Sequence, residues 1–164
     1  MKRAILLVLT LAITGSLALG QGKSKSSAPA NDESVIKSLI ERETKAFFEI
    51  DYATWADCWA HEPFAFWSFA DTTDVNSFSG WEAIKKGFTN YFKTSKPSTA
   101  KITRTWGDIR IFGNGAYARF TQRVEDDTDR PAQEEVRVLE KIKGQWKIIC
   151  VSVIAMQKDN QPVR

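Results

Sequence analysis

Histidine is nearly missing from this sequence: His61 stands alone, and the cysteines number only two, Cys58 and Cys150. There is no CxxC pair and no His/Cys cluster, so nothing offers the four N or S ligands of a structural zinc site, and no metal or cofactor is expected. The two cysteines can pair in an oxidising compartment. Both lie in apolar stretches, however, where free buried thiols are common, and the sequence does not choose between the two. An excess of one charge is also missing, with 23 Lys and Arg against 20 Asp and Glu. That balance, with no basic stripe, gives no footprint for nucleic acid. No internal repeat is visible. The longest apolar run, residues 4–13, is shorter than the roughly 20 residues a membrane span needs.

That run has another reading. Lys2 and Arg3 precede it, and "TGSLALGQG" follows it with Ala18 and Gly20 as small residues at cleavage-site spacing. A basic start, a short apolar run and a small-residue end predict a secretory signal over residues 1–20. No cysteine follows the cleavage site, so no lipid anchor is expected, and no membrane association remains after cleavage. Removal takes away two basic and no acidic residues, which leaves a mature charge of about +1. Export to the periplasm or the extracellular space is the expectation. Residues 21–31, "QGKSKSSAPAN", are small and polar and predict a flexible linker. One domain is expected over residues 32–157, with a short C-terminal tail at 158–164.

Within the domain the first signal is helical. Val35, Ile36, Leu39, Ile40, Glu43, Ala46, Phe47 and Ile50 fall on one face over four turns, with Asn31 or Asp32 placed to cap the start. "DYATWADCWA" predicts a short second helix with Trp55, Cys58 and Trp59 on one side, stopped before Pro63. "FAFWSF" reads as a strand, "ADTTDVNSFSG" as a loop, and Trp81, Ile84, Phe88, Tyr91 and Phe92 share the face of a third helix.

The remainder reads as strands. "AKITRTWGDIRIF" meets "AYARFTQRVE" through an Asn114-Gly115 turn. That register sets Ile109 opposite Phe120, Ile111 opposite Ala118, Phe112 opposite Tyr117, Arg110 opposite Arg119 and Trp106 opposite Arg123, with Asp108 placed to neutralise the arginines. "DDTDRPAQ" reads as a polar turn. A second hairpin turns at Lys143-Gly144 and puts Glu135, Arg137, Leu139, Ile148, Cys150, Ser152 and Ile154 on one face, with Arg137 opposite Cys150. The other face carries Val136, Val138, Ile149, Val151 and Val153. Both faces of the final strand are apolar at its centre, and three helices cover one, so a homodimer through the outer sheet face is expected.

"VIKSLIERETKAFFEIDYATW", "SGWEAIKKGF", "FGNGAYARF" and "RVLEKIKGQWKII", in this order over residues 32–156, resemble the NTF2-like superfamily and its SnoaL-like/DUF4440 branch. The resemblance implies an α+β cone, in which three N-terminal helices wrap a strongly curved antiparallel sheet around a pocket, commonly in a dimer. It does not imply one activity, because that fold hosts isomerases, dehydratases, cyclases, transport factors and binding domains.

Trp55, Trp59, Trp67, Trp81, Phe88 and Tyr91 come from elements that line the cone in relatives, and many of them also suit a plain core. The leading expectation is a small, mostly apolar or aromatic ligand, with Trp55, Trp59, Trp67 and Phe88 as walls and Arg137, Tyr91 and Ser152 as orienting groups. Arg137 either pairs with Glu135 or stays free for an anionic ligand. Cys150 reads as a small buried residue, with a thiolate nucleophile as the alternative. Relatives often carry histidines at the positions of Cys150 and Ser152. A lyase or isomerase of the ketosteroid-isomerase type, with His61 or Asp51 as base, is the second reading. His61 in "WAHEP" also fits a turn, and Asp51 a helix cap. A protein-interaction or immunity module is the third.

Overall fold

A computed structural model of the protein describes residues 29–125 and 131–155. The signal over residues 1–20, most of the linker, most of the 126–133 turn and the C-terminal tail lie outside the described residues. Helix α1 (Pro29–Phe48) opens three residues inside the stretch that reads as linker. Proline is tolerated in a first helical turn, where its missing N–H has no intrahelical partner to lose. Asp32 therefore lies within the helix and caps nothing. Its carboxylate instead takes Lys141 Nζ at 2.8 Å on both oxygens and Trp146 Nε1 at 3.1 Å. These bonds hold its carboxyl below the usual range. Ile36, Leu39, Ile40, Glu43 and Ala46 are buried as the spacing predicts, whereas Val35, at the stripe's edge, is 42% exposed.

The α1 C-terminus closes with Ile50 N–H on Phe47 O and Asp51 N–H on Ala46 O. Ile50 takes φ 60° there, a left-handed position that usually falls to glycine. Asp51 then caps α2 (Tyr52–Asp57), accepting from Thr54 N–H at 3.0 Å. Trp55, Cys58 and Trp59 all turn into the core. A hairpin follows, β1 (Phe66–Ala70) with β2 (Val75–Ser79). β2 falls within the stretch that reads as a loop. Its polar Asn76, Ser77 and Ser79 hide a short edge strand, while Asp71 forms the turn by accepting from Thr73 and Asp74 N–H. Helix α3 (Trp81–Thr94) and β3 (Lys101–Phe112), β4 (Gly115–Glu125), β5 (Gln133–Ile142) and β6 (Gln145–Ala155) complete the chain.

The six strands form one sheet in the order β2-β1-β6-β5-β4-β3. All neighbours are antiparallel except β1 and β6, which run parallel. The sheet is therefore mixed, a departure from the expected antiparallel one. Helices cover its inner face, and among the described residues no helix is long and apolar enough to cross a membrane.

Two registers differ from expectation. The β3–β4 turn uses Gly113-Asn114, because Gly113 takes the left-handed φ of 59° and Phe112 pairs with Gly115. Ile109 therefore meets Ala118, Ile111 meets Ala116, and Arg110 meets Tyr117. A bulge between Trp106 and Ile109 turns Trp106 inward against Phe120 instead of Arg123. Asp108 does sit between Arg110 and Arg119, at 3.8 and 3.6 Å.

In the last hairpin Lys143 and Gly144 make the expected turn, both with positive φ (50° and 82°) as a type I′ turn requires. One extra residue on β6 at Ile149 then shifts the pairing, so that Arg137 faces Val151 and Val138 faces Cys150. A bulge of one residue exchanges the two faces of everything beyond it. Val151 and Val153 thus point inward, while Cys150, Ser152 and Ile154 point out. Both cysteines are free thiols, on opposite sides of the sheet.

Candidate functional site

Between the helices and the inner sheet face lies a cavity of about 320 Å³. Helix α1 contributes Glu43, Thr44, Phe47 and Phe48, α2 contributes Trp55, and α3 contributes Phe88 and Tyr91. The sheet supplies Trp67 and Phe69 from β1, Gln122 and Val124 from β4, Gln133, Glu135 and Arg137 from β5, and Val151 and Val153 from β6.

The walls are aromatic. Phe47 stacks on Tyr91 at 4.3 Å, and Phe88 meets Phe47, Trp55 and Trp67 edge to face at 5.6, 5.4 and 4.9 Å. Such edge and offset contacts place the positive rim of one ring on the negative face of the next. The Tyr91 hydroxyl donates to Phe47 O at 3.1 Å, tying α3 to α1. Behind the wall, the Phe78 ring lies where a side chain on Gly87 would stand, with ring atoms 2.4–2.8 Å from that point. Only glycine at this position of α3 allows the close approach.

One end of the cavity is polar and buried. Glu43, Gln122, Glu135 and Arg137 are 6%, 4%, 1% and 4% exposed. Arg137 Nη1 pairs with Glu135 Oε2 at 2.6 Å, and its Nη2 lies 3.6 Å from Glu43 Oε2. Glu43 also accepts from Trp55 Nε1 at 3.0 Å. The guanidinium rests over the Phe120 ring at 5.6 Å, and Arg104 reaches the same ring at 5.5 Å. Burial pushes the Glu135 carboxyl above the usual range; the Arg137 charge opposes this and the Glu43 charge adds to it. Gln122 Oε1, Arg137 Nε, and Nε and Nη2 of Arg104 are buried with no hydrogen-bond partner. Among the described residues no three His, Cys, Asp or Glu side chains come together in a way that could hold a metal ion.

Of the residues singled out from the sequence, Trp55, Trp67, Phe88, Tyr91 and Arg137 line this cavity. Trp59 does not: it is 2% exposed in the core behind Trp55, 5.9 Å from it and 6.4 Å from Trp81. Cys150 and Ser152 lie on the outer face, carried there by the β6 bulge, and Ser152 takes a hydrogen bond from Ser68 at 3.2 Å. The Arg137–Glu135 pair forms as one of the two expected alternatives, with Glu43 as a further carboxylate. Burial raises the Cys150 thiol above its ordinary pKa, and Arg137 opposes this only from across the sheet.

His61 is outside the cavity, stacked on Trp81 at 4.1 Å, with Nε2 donating to Ala56 O at 2.9 Å. Asp51 is a helix cap. Neither base named from the sequence reaches the cavity, whereas Glu43 and Glu135 do. Glu43 has a signal in the sequence, as the single charge in the apolar stripe of α1. Gln122 has a similar one, in the inward series Ala116, Ala118, Phe120, Gln122, Val124.

A cavity between wrapped helices and a curved sheet, aromatic-walled with a buried charged end, defines an α+β cone of the NTF2-like class. The family model of the SnoaL-like domain matches residues 36–155, and the chain belongs to that family. Its fold is similar to that of an NTF2-like protein of unknown function from Shewanella baltica OS155, at 14% identity and TM-score 0.61, covering 80% of this chain and 99% of that one. A second NTF2-like protein, from Pseudomonas putida KT2440, is 18% identical with TM-score 0.59, covering 84% and 96%. A cystatin-like fold protein from Nostoc punctiforme is 17% identical with TM-score 0.57, covering 81% and 96%. No curated protein matches the chain. These likenesses establish the fold alone.

Proposed function

We propose that the protein is exported and binds a small, largely apolar or aromatic molecule in the cone cavity. The observation that carries this is the cavity itself, in which stacked and edge-on rings surround four buried polar side chains, two of them, Gln122 and Arg137, with unfilled hydrogen-bonding capacity. Apolar walls with a few convergent polar groups are the usual form of a small-ligand site. Trp55, Trp67, Phe88 and Tyr91 serve as walls, and Arg137 with Glu135, Glu43 and Gln122 orients the ligand. Export is supported by the basic, apolar and small-residue pattern of residues 1–20.

Thermal shift against aromatic acids, steroids and polyketide fragments tests the binding. A ligand at 100 times its Kd adds about 2.7 kcal/mol of stability. Trp55 and Trp67 should report the same event by fluorescence. No stabilisation and no fluorescence change across the panel would end this reading.

A homodimer through the outer sheet face is part of the proposal. Its support is the apolar surface there, with Ile154 55% and Phe66 36% exposed beside Val136, Val138 and Cys150. Gel filtration at micromolar concentration should give twice the monomer mass. A monomer would leave this face open to a different protein.

A second reading, a lyase or isomerase, is favoured by Glu135 rather than by His61. Its buried carboxyl is held above the ordinary range, the direction a general acid or base working nearer neutrality requires.

A further inference from the structure

Two carboxylates, Glu43 and Glu135, and two guanidiniums, Arg137 and Arg104, gather around the buried end of the cavity, so the cluster is balanced in charge. Arg137 already has carboxylates on two sides, Glu135 at 2.6 Å and Glu43 at 3.6 Å. A ligand carboxylate would bring a third anion to one guanidinium, and it would have to displace Glu135 or Glu43 to reach it. A ligand ammonium would meet the guanidinium itself. Desolvated like charges at such distances repel strongly, because little water is present to screen them.

The hydrogen-bonding groups are matched in the same way. Within the cavity lining one donor, Arg137 Nε, and one acceptor, Gln122 Oε1, are buried without partners, while Arg137 Nη1 and Glu135 Oε2 satisfy each other at 2.6 Å. They belong to neighbouring register positions: Gln122 pairs with Gln133 on β5, two residues from Glu135, and Glu135 is two from Arg137. All face inward, so the donor and the acceptor lie along one edge of the cavity floor. Above them the paired rings of Phe47 and Tyr91 and the edge of Phe88 form flat walls.

Resting on the reading of this cavity as a binding site, we infer that its buried end selects an uncharged, planar ligand with a hydrogen-bond donor and acceptor on one edge, as in an aromatic carboxamide or lactam. In that complex the ligand carbonyl accepts from Arg137 Nε, and the ligand N–H donates to Gln122 Oε1. The ion pair stays in place. An acid or an amine of the same shape loses one of the two contacts and adds an uncompensated charge.

The test is isothermal titration of the purified protein at pH 7.5 with 2-naphthamide, 2-naphthoate and 2-naphthylmethylamine. These share one ring system and differ only in the charge and hydrogen bonding of one edge. The amide should bind at least tenfold more tightly than either charged partner. Glu135→Gln removes one of the carboxylates that repel an acid, so it should narrow the amide-to-acid ratio to within about threefold. If the acid or the amine binds as tightly as the amide, the inference is overturned while the cavity remains a binding site. If none of the three binds, the binding reading falls, and this inference with it. Should Glu135→Gln fail to fold, the three-ligand comparison in the unaltered protein decides the question alone.

Discussion

Replacing Arg137 with methionine would leave two carboxylates, Glu43 and Glu135, without the guanidinium that lies against both. Both are more than nine-tenths buried, so bulk water screens them poorly. Breaking a buried ion pair from one side costs about 3–5 kcal/mol, a large fraction of the 5–15 kcal/mol that typically holds a domain together. The loss should depend on pH. Glu135 has a folded pKa above its ordinary value of 4.5, so the folded state binds its proton more tightly than the unfolded chain does. Its contribution to stability is therefore greatest at or below that ordinary value and falls as pH rises towards the folded pKa. Arg137 is the main influence lowering that pKa, so R137M raises it further and deepens the loss on the alkaline side. Urea unfolding followed by tryptophan fluorescence at pH 5 and pH 8 should show the R137M deficit shrinking at the lower pH. Adding Glu135→Gln to R137M removes one of the two charges and should recover about 1–3 kcal/mol at pH 8, the usual range for contacting residues. A deficit below about 1 kcal/mol, or one equal at both pH values, would refute the reasoning.

Other expectations follow from single side chains. Cys58 is fully buried, and its thiol is pushed up to about 11, chiefly by burial. Alkylation of native protein at pH 8 should therefore leave Cys58 unlabelled until denaturation; labelling of Cys58 in the native protein would contradict the placement. Stability linked to Cys58 is present below its ordinary value of 9.0 and lost as pH climbs from there towards 11. His61→Ala should leave ligand affinity unchanged, because the ring stacks on Trp81 outside the cavity; a tenfold loss in titration would return His61 to the site. Lys143→Asn should raise the unfolding free energy by about 0.5–1 kcal/mol, since asparagine suits the left-handed first position of a type I′ turn better than lysine. A lowered urea midpoint would count against that assignment.

The helices were legible in the sequence because their apolar spacing coincides with what is buried. Trp81 and Ile84 on α3, and Trp55, Cys58 and Trp59 around α2, are all inside. The hairpins were legible as hairpins, since glycine and its neighbours mark where a chain can turn. Which residue faces which side was less so. Alternation along β6 carries Val151 and Val153 as readily as Cys150 and Ser152, and a single bulged residue at Ile149 decides between them. A bulge forms through tertiary pairing, so no local pattern announces it. Glu43 was visible in the α1 stripe, but its role needed Arg137 from β5, 94 positions along the chain. The edge strand β2 was hidden for the opposite reason, being mostly polar and bonded on one side only.

The position of β6 in the sheet bears on when this protein can become itself. It lies between β1 and β5, and every other strand precedes it in the chain. Until it arrives, the β2-β1 hairpin has nothing to join, and the cavity lacks the floor that Val151 and Val153 supply. Pairs such as Phe66 with Cys150 close a loop of 84 residues, a slow event that local structure cannot anticipate. A nascent chain emerging from the ribosome would thus stay open through most of its synthesis. The export proposed above requires a chain that is still unfolded at the translocation channel, and such a delay would meet that requirement.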